Sequence, residues 1–405
     1  MSRTSDVAVV GGGVVGLAMA REVLLREPRA KVVVFEQESR LGAHASGRNS
    51  GVLHAGFYYA PDSLKAGLTR RGNKMLHTFC DMSGIPVRRC GKVVVAGDPT
   101  DLGRLAELYH RGRANGVPLE LIDERQLSEL EPLARTADRA LWSPTTSVAD
   151  PRAVLAALYD DVVRRGGSVA VGSPVTAAGP GWLTAAGEAW SVGHVVNCAG
   201  LYADQVARWF GMCDDYIVLP FKGLYWYGNW APGTLRRHVY PVPDPRNPFL
   251  GVHFTVTANG RAKLGPTAIP ALWRRSYGGL HAVAASEFRE VVRYLPELLR
   301  SPHHDGPALV RSELPKHARR LLVRRARALV PSAAAVDFRV RAAPGVRAQL
   351  WSRPQRRLEM DFVVRSDDRS THLLNIVSPG WTSALAMAEY VVTGTGSDHR
   401  PLLGR

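Results

Sequence analysis

Cysteine is scarce in this chain. Four stand in 405 residues (Cys80, Cys90, Cys198, Cys213), with no C-x-x-C pair and no metal-ligand spacing. That excludes a disulfide framework and gives no reason to expect a metal site. The N-terminus reads as lacking a secretory leader, so the four are expected to be free thiols in a reducing cytoplasm. No apolar run reaches the roughly 18 residues of a membrane span, so no integral membrane segment is expected. No internal repeat or low-complexity linker interrupts an ordinary globular composition, 45% hydrophobic and 22% charged. Acid is the other shortage: 36 Asp and Glu against 52 Lys and Arg leave a net charge of +16. Such an excess follows from base composition and solubility, or it attracts an anionic cofactor and an acidic substrate. Nucleic-acid binding is not expected, because no helix-turn-helix, RNA-binding or zinc pattern accompanies the charge. The length suits two to three domains with ample core.

What is present is concentrated first in Asp6 to Tyr59. An apolar β-branched run, Val7 to Val10, meets a glycine turn in which Gly11, Gly13 and Gly16 stand at G-x-G-x-x-G spacing. A helix is predicted from about Val14 to Arg26, and a second strand, Lys31 to Phe35, ends on Glu36. Gly11 permits the bend, Gly13 lets a pyrophosphate approach the main chain, and Gly16 lets helix and strand pack closely. The helix N-terminus, at Val15, offers N–H groups to phosphates. Glu36, followed by Gln37, stands where a carboxylate accepts from ribose hydroxyls. The combination predicts dinucleotide binding.

FAD is favoured over NAD. After Glu36 the chain does not continue with another strand–helix unit. It runs instead through the small and polar residues Ser46, Gly47, Arg48, Asn49, Ser50 and Gly51, suited to lie along an extended cofactor.

The chain as a whole resembles the FAD-dependent oxidoreductases of the D-amino-acid oxidase and glycine oxidase superfamily. Within it, the chain is similar to the L-2-hydroxyglutarate oxidases and dehydrogenases. The residues that carry the resemblance are Ala45 to Tyr59, Ser63 to Ala66, Val195 to Asp204 and Leu219 to Trp226, then Tyr240 to Thr255, Gly345 to Leu350 and Asn375 to Tyr390. It implies an α/β plus α+β fold: a Rossmann-like, glutathione-reductase-like FAD domain under an antiparallel-sheet substrate domain. The expected division is 1–85, 146–214 and 336–405 for FAD, and 86–145 and 215–335 for substrate. The resemblance places Val175 at the adenine side and Ala199-Gly200 near the pyrophosphate or ribityl chain. Gly380, Trp381, Thr382 and Ser383, opening the last helix, would face the flavin pyrimidine edge.

Helices are expected near Ser63 to Ser83, Asp101 to Asn115 and Asp123 to Leu130. Another starts at Asp150-Pro151 and stops at Gly166-Gly167. Short strands are expected at 168–171, 174–177, 181–184 and 189–191, then His194 to Asn197 and a helix Tyr202 to Phe210. From Tyr216 the pattern becomes alternating strands: 216–227, 238–242, 251–257 and 263–265. Helices at Ser286 to Arg300 and Pro307 to Val330 interrupt them. The second is basic and amphipathic, which suits a solvated face and leaves open contact with a membrane surface. Strands at 337–341, 347–352, 362–364 and 372–376 precede the last helix, which ends near Val392.

Oxidation at a flavin needs a substrate anchor, a proton acceptor and a partner for charge on the reduced ring. The last helix's N-terminus suits the third role. Histidine suits the second. His54 and His253 both stand in family-like stretches. For His54 three readings stay open: base or substrate contact, covalent tether of FAD, and a structural role. His253 divides between substrate pocket and core. For a carboxylate substrate, Arg347 is the first anchor and Lys222 the second, with Tyr58, Tyr59 and Tyr225 adding hydroxyls. The hydroxyglutarate enzymes carry Arg at Lys222, an acid–tyrosine pair at Leu224-Tyr225, Asn at Thr267, Arg at Val256 and a small residue at Trp381. The expected activity is therefore FAD-dependent oxidation of a 2-hydroxy acid or related secondary alcohol, on a substrate that need not be L-2-hydroxyglutarate. Amine oxidation and a non-catalytic flavin protein are the alternatives.

Overall fold

The structure is a computed structural model. It describes residues 3–394, apart from 245, 246, 248, 279–282, 304 and 314–317, and also 402.

Its first layer is a parallel sheet. Strands Ser168–Ala170, Val32–Phe35, Arg3–Val10, Glu188–Asn197 and Ser370–Leu373 follow one another in space, all parallel. Val364–Ser366 adds an antiparallel edge, and Val175–Gly179 with Trp182–Ala185 pairs onto the first half of Glu188–Asn197. The predicted strands at 189–191 and 194–197 are thus one. Gly193 keeps the strand continuous beside its neighbour, since a Cβ there would lie 2.6 Å from the Asp6 carbonyl.

Strand alternation divides the core. Val7 and Val9 face helices Val14–Arg26, Leu64–Met82, Pro151–Arg164 and Gly380–Thr393. Ala8 and Val10 face Leu183, Val192 and Val206 on the other side. Helix ends follow the sequence chemistry. Ser63 caps Leu64–Met82 by accepting from the Ala66 N–H. Asp150 accepts from Arg152, with Pro151 in the first turn.

Two further sheets stand over this layer. One runs Val340–Arg341, Trp226–Tyr227, Ala262–Gly265, His253–Val256, His238–Pro241, Lys92–Val95, Arg139–Ser143, Glu120–Asp123. It is antiparallel except that His238–Pro241 and Lys92–Val95 pair in parallel. The other joins Ile269–Pro270, Tyr216–Gly223, Gly345–Ser352 and Arg357–Leu358.

Two expectations are corrected. The strand expected over 216–227 is two strands in different sheets, broken where the Leu224 N–H turns aside to the Thr267 hydroxyl. Strands Val340–Arg341, Gly345–Ser352 and Arg357–Leu358 are hydrogen-bonded into these upper sheets. The helix expected over 307–330 is described as Gly306–Glu313 and Arg319–Ala326, and 314–317 lie outside the described residues. In Arg319–Ala326, Leu322 and Ala326 face inward while Arg320 and Arg324 are exposed. Among the described residues, no helix is long and apolar enough to cross a membrane.

Candidate active site

A cavity of about 630 Å³ begins at the C-terminal ends of the parallel strands, at Val10, Phe35, Cys198 and Leu373. It continues to Phe221, Tyr225, Tyr240, His253 and Arg347 on the two upper sheets.

The lower end is built from main chain. Gly11 has φ +111°, and a Cβ there would lie 2.4 Å from the Cys198 carbonyl. Gly13 caps Val14–Arg26 with no side chain in the cap, and the Ser46 hydroxyl accepts from the Val14 N–H at 2.9 Å. The Glu36 carboxylate accepts from the N–H groups of Gly12 (3.0 Å) and Glu38 (2.9 Å). A carboxylate has about four acceptor positions, so capacity for ribose hydroxyls remains. Asn49 donates to the Ala45 and Ser46 carbonyls and accepts from Gly51, which shapes the loop that lines the cavity.

The last helix, Gly380–Thr393, also begins without a side-chain cap, at Pro379. Its first-turn N–H groups lack intrahelical partners by geometry, and among the described residues the buried Trp381 Nε1 has no hydrogen-bond partner. Gly380, Trp381 and Thr382 line the cavity. Two helix N-termini with no side chain from the cap residue, a glycine turn with no room for a Cβ, and a carboxylate with acceptor capacity to spare could hold FAD.

Of the residues read from sequence, Gly11, Gly13, Val15, Glu36, Gln37, Ser46, Arg48, Asn49, Ser50, Val175, Ala199, Gly200, Gly380, Trp381 and Thr382 line this cavity. Gly16, Gly47, Gly51 and Ser383 stand behind it. A Cβ on Gly16 would lie 1.9 Å from the Gly11 carbonyl, on Gly47 2.2 Å from that of Gly42, and on Gly51 2.1 Å from that of Ala149. The Ser383 hydroxyl is 3.3 Å from that of Thr69.

The upper end is built from side chains. His54 is clamped through its backbone: its N–H donates to the Thr382 hydroxyl at 3.1 Å, and Asn73 donates to its carbonyl at 3.2 Å. Burial, then the neighbouring Lys92, His238, His253 and Arg347, push its imidazole well below the ordinary 6.5. His253 Nδ1 donates to the Gly251 carbonyl at 2.8 Å, which leaves Nε2 as the acceptor, and its ring stacks on Tyr240 at 3.8 Å. Arg347 reaches the cavity from Gly345–Ser352, paired with Phe221, and its guanidinium lies 5.6 Å from the Phe249 ring centre. Among the described residues it makes no ion pair. Tyr225 lines the same wall, its phenol pushed by burial up to about 12.

Lys222 does not line the cavity. Its strand neighbours Phe221 and Gly223 do, and alternation turns the lysine to the opposite face. Tyr58 and Tyr59 also lie outside the lining.

Sequence reading missed four parts. Lys92 is fully buried behind this wall, and Tyr240 forms part of it. His44, Glu38, Arg275 and Tyr277 join the cofactor loop to the upper layer, with His44 Nδ1 2.8 Å from the Tyr277 hydroxyl and Nε2 2.9 Å from Glu38. Arg274, buried, donates to both oxygens of buried Asp204 and to Glu290. A lysine opening an apolar run was the available signal for the first. The others depend on long-range pairing. Among the described residues, no group of three His, Cys, Asp or Glu side chains is placed to hold a metal ion.

Known proteins with these features can now be set beside the chain. The family described as "DAO: FAD dependent oxidoreductase" matches residues 6–393. The mitochondrial L-2-hydroxyglutarate dehydrogenase of Caenorhabditis elegans is 35% identical, covering 96% of this chain and 92% of that protein. Its Homo sapiens counterpart is 34% identical, over 95% and 87%. Among solved structures, the FAD-bound L-alpha-glycerophosphate oxidase of Mycoplasma pneumoniae superposes with a TM-score of 0.75 at 21% identity, covering 96% and 94%. Glycine oxidase of Geobacillus kaustophilus gives 0.72 at 18%, covering 97% and 94%.

Proposed function

Starting from a chain that belongs to the DAO family of FAD dependent oxidoreductases, we propose that it oxidises the hydroxyl-bearing carbon of a 2-hydroxy acid to a ketone. The observation that carries this reading is the meeting of His54 and Arg347 in one cavity with the uncapped helix end at Trp381 and Thr382. FAD, when bound, supplies the acceptor for the hydride. His54 takes the hydroxyl proton: burial keeps the imidazole unprotonated, and the Thr382 and Asn73 contacts fix its place. Arg347 takes the carboxylate in two parallel hydrogen bonds, a geometry a guanidinium matches. Tyr225 donates from the same wall, and His253, acceptor at Nε2, contacts the substrate beside Tyr240.

A carboxylate is the substrate class favoured by the charge of this end. Arg347 lines this end, with Lys92 buried behind it and Lys263 buried with its Nζ 5.2 Å from the Tyr225 ring centre, and among the described residues none of the three is in an ion pair. The relatives are named for L-2-hydroxyglutarate. Of the departures noted in sequence, Lys222 faces away, whereas Tyr225, Thr267 and Trp381 line the cavity and would alter the fit of that substrate.

We further propose that the parallel sheet with its helices is the cofactor unit and the upper sheets, 340–358 included, are the substrate unit. Location in a reducing compartment, with no nucleic-acid partner, completes the reading; the four cysteines are free thiols.

The test is anaerobic mixing of the purified yellow protein with L-2-hydroxy acids and with amino acids. Bleaching of the flavin by hydroxy acids is expected. Bleaching by amino acids alone would replace this reading with amine oxidation. After acid precipitation FAD should stay in the supernatant; colour in the pellet would make His54 a tether instead.

A further inference from the structure

Lys92 opens strand Lys92–Val95, in register beside His238. It is 0% exposed, and among the described residues its Nζ has no hydrogen-bond partner. An ammonium buried without a carboxylate is costly. Here ring faces take the carboxylate's place. Nζ lies 4.1 Å from the centre of the Tyr240 ring, 5.1 Å from that of Tyr58 and 5.4 Å from that of Phe57. Such faces carry negative quadrupole density and favour a cation.

The position of this cage is informative. Phe57 and Tyr58 belong to the stretch that carries His54. Tyr240 stacks on His253. The lysine therefore sits directly behind the wall that presents both histidines to the cavity. After burial, the neighbours that lower His54 are Lys92, His238, His253 and Arg347. The Cys90 thiol beside Lys92 partly offsets the effect of burial on the lysine, and is itself raised to about 11 by burial.

We propose that Lys92 is a positioning residue for the oxidation: its ammonium, seated on Phe57, Tyr58 and Tyr240, repels positive charge at His54 and so holds the imidazole as a free base when substrate arrives. This rests on His54 being the proton acceptor. Burial lowers Lys92 itself to about 7. Its charge is therefore present in the acid range where His54 titrates, and fades as pH rises. An apolar side chain of similar length would pack in the same cage without this effect.

The experiment follows the ring of His54 in FAD-loaded protein with 13C-labelled histidine, assigned by the signal lost in His54→Asn. In Lys92→Met the His54 titration midpoint should rise by about one pH unit or more, while Lys92→Arg should leave it within about 0.3. The acid limb of flavin reduction should move with it. At a pH on that limb the rate should fall about tenfold in Lys92→Met, and on the alkaline plateau by less than about threefold. A His54 midpoint that stays put in Lys92→Met of normal FAD content overturns the proposal. So does failure of both Lys92→Met and Lys92→Gln to fold, which would make the lysine structural. Should no hydroxy acid bleach the flavin, the proposed reaction falls, and the histidine titration still decides the role of Lys92.

Discussion

The two ends of the cavity are made of different materials. The proposed cofactor end is main chain: two helix N-termini with no side chain from the cap residue, a glycine turn, and a carboxylate fixed by two backbone N–H groups. The proposed substrate end is side chain: His54, His253, Tyr225, Tyr240 and Arg347, presented from segments far apart in sequence. A site made of backbone tolerates many side chains but no added Cβ where the ligand approaches. A site made of charged side chains tolerates little truncation, because each group left behind in a dry wall loses its partner.

This contrast can be broken at the joint between the two ends. Arg274, 1% exposed, donates to Asp204, 0% exposed, and to Glu290 at 2.9 Å, tying the upper layer to the turn that lines the cofactor cavity. Asp204→Ala leaves the buried guanidinium with Glu290 as its one carboxylate partner among the described residues and should cost about 3 kcal/mol in denaturant unfolding. A cost below about 1 kcal/mol would mean the two ends are independent bodies. Burial alone would raise the Asp204 carboxyl, but Arg274 and Arg208 hold it below its ordinary value. Its contribution is therefore complete above the unfolded value of about 4 and lost as pH falls through the folded one. Acid unfolding of the Asp204→Ala protein should be correspondingly shallower.

The next largest effect belongs to the substrate end. Arg347→Ala should lower kcat/KM by roughly 30-fold to several thousand-fold, the loss of a charge-assisted pair worth about 2–5 kcal/mol. FAD content and Tm should barely move. A colourless or unfolded Arg347→Ala protein would reassign the residue to structure.

At the cofactor end the sensitivity reverses. A Cβ on Gly13 would lie 2.9 Å from the Ser46 hydroxyl, in the space a pyrophosphate needs. Overpacking costs typically about 1–3 kcal/mol, so Gly13→Val should weaken FAD up to about 100-fold in equilibrium dialysis while the apoprotein keeps its Tm. Full FAD retention would remove the first helix from the site. The smallest effect sharpens the boundary: Lys222→Ala, facing away from the cavity, should change kcat/KM by less than about threefold. A loss comparable to that of Arg347→Ala would bring Lys222 back as an anchor.

The same contrast explains what could be read from the sequence. Glycine spacing, strand–helix alternation and the Asp150-Pro151 start are local signals, and the lower layer formed where they pointed. The upper layer depends on pairings between distant segments. Residues 216–227 carry a continuous strand pattern, yet the turn at Leu224 sends its two parts into different sheets. Lys222 reads as an anchor because it is a cation in the family-like stretch Leu219 to Trp226, whereas the alternation of Phe221 and Gly223 turns it from the cavity. Lys92 stood in a run that reads as buried, but its ring neighbour Tyr240 comes from the adjacent strand, far away in sequence.

The first strand has a consequence for the making of the protein. Arg3–Val10 is the middle of the parallel sheet, yet it pairs with Glu188–Asn197, and that strand with Ser370–Leu373. The helix that would meet the flavin, Gly380–Thr393, comes later still. On a ribosome the glycine turn emerges before Glu188–Asn197 and Ser370–Leu373, the strands that complete its sheet. Pairings of such separation form slowly and leave apolar edges exposed meanwhile. Stable holding of FAD should therefore wait for residues 370–393. A nascent chain stalled before residue 370 should be colourless, however intact its opening turn.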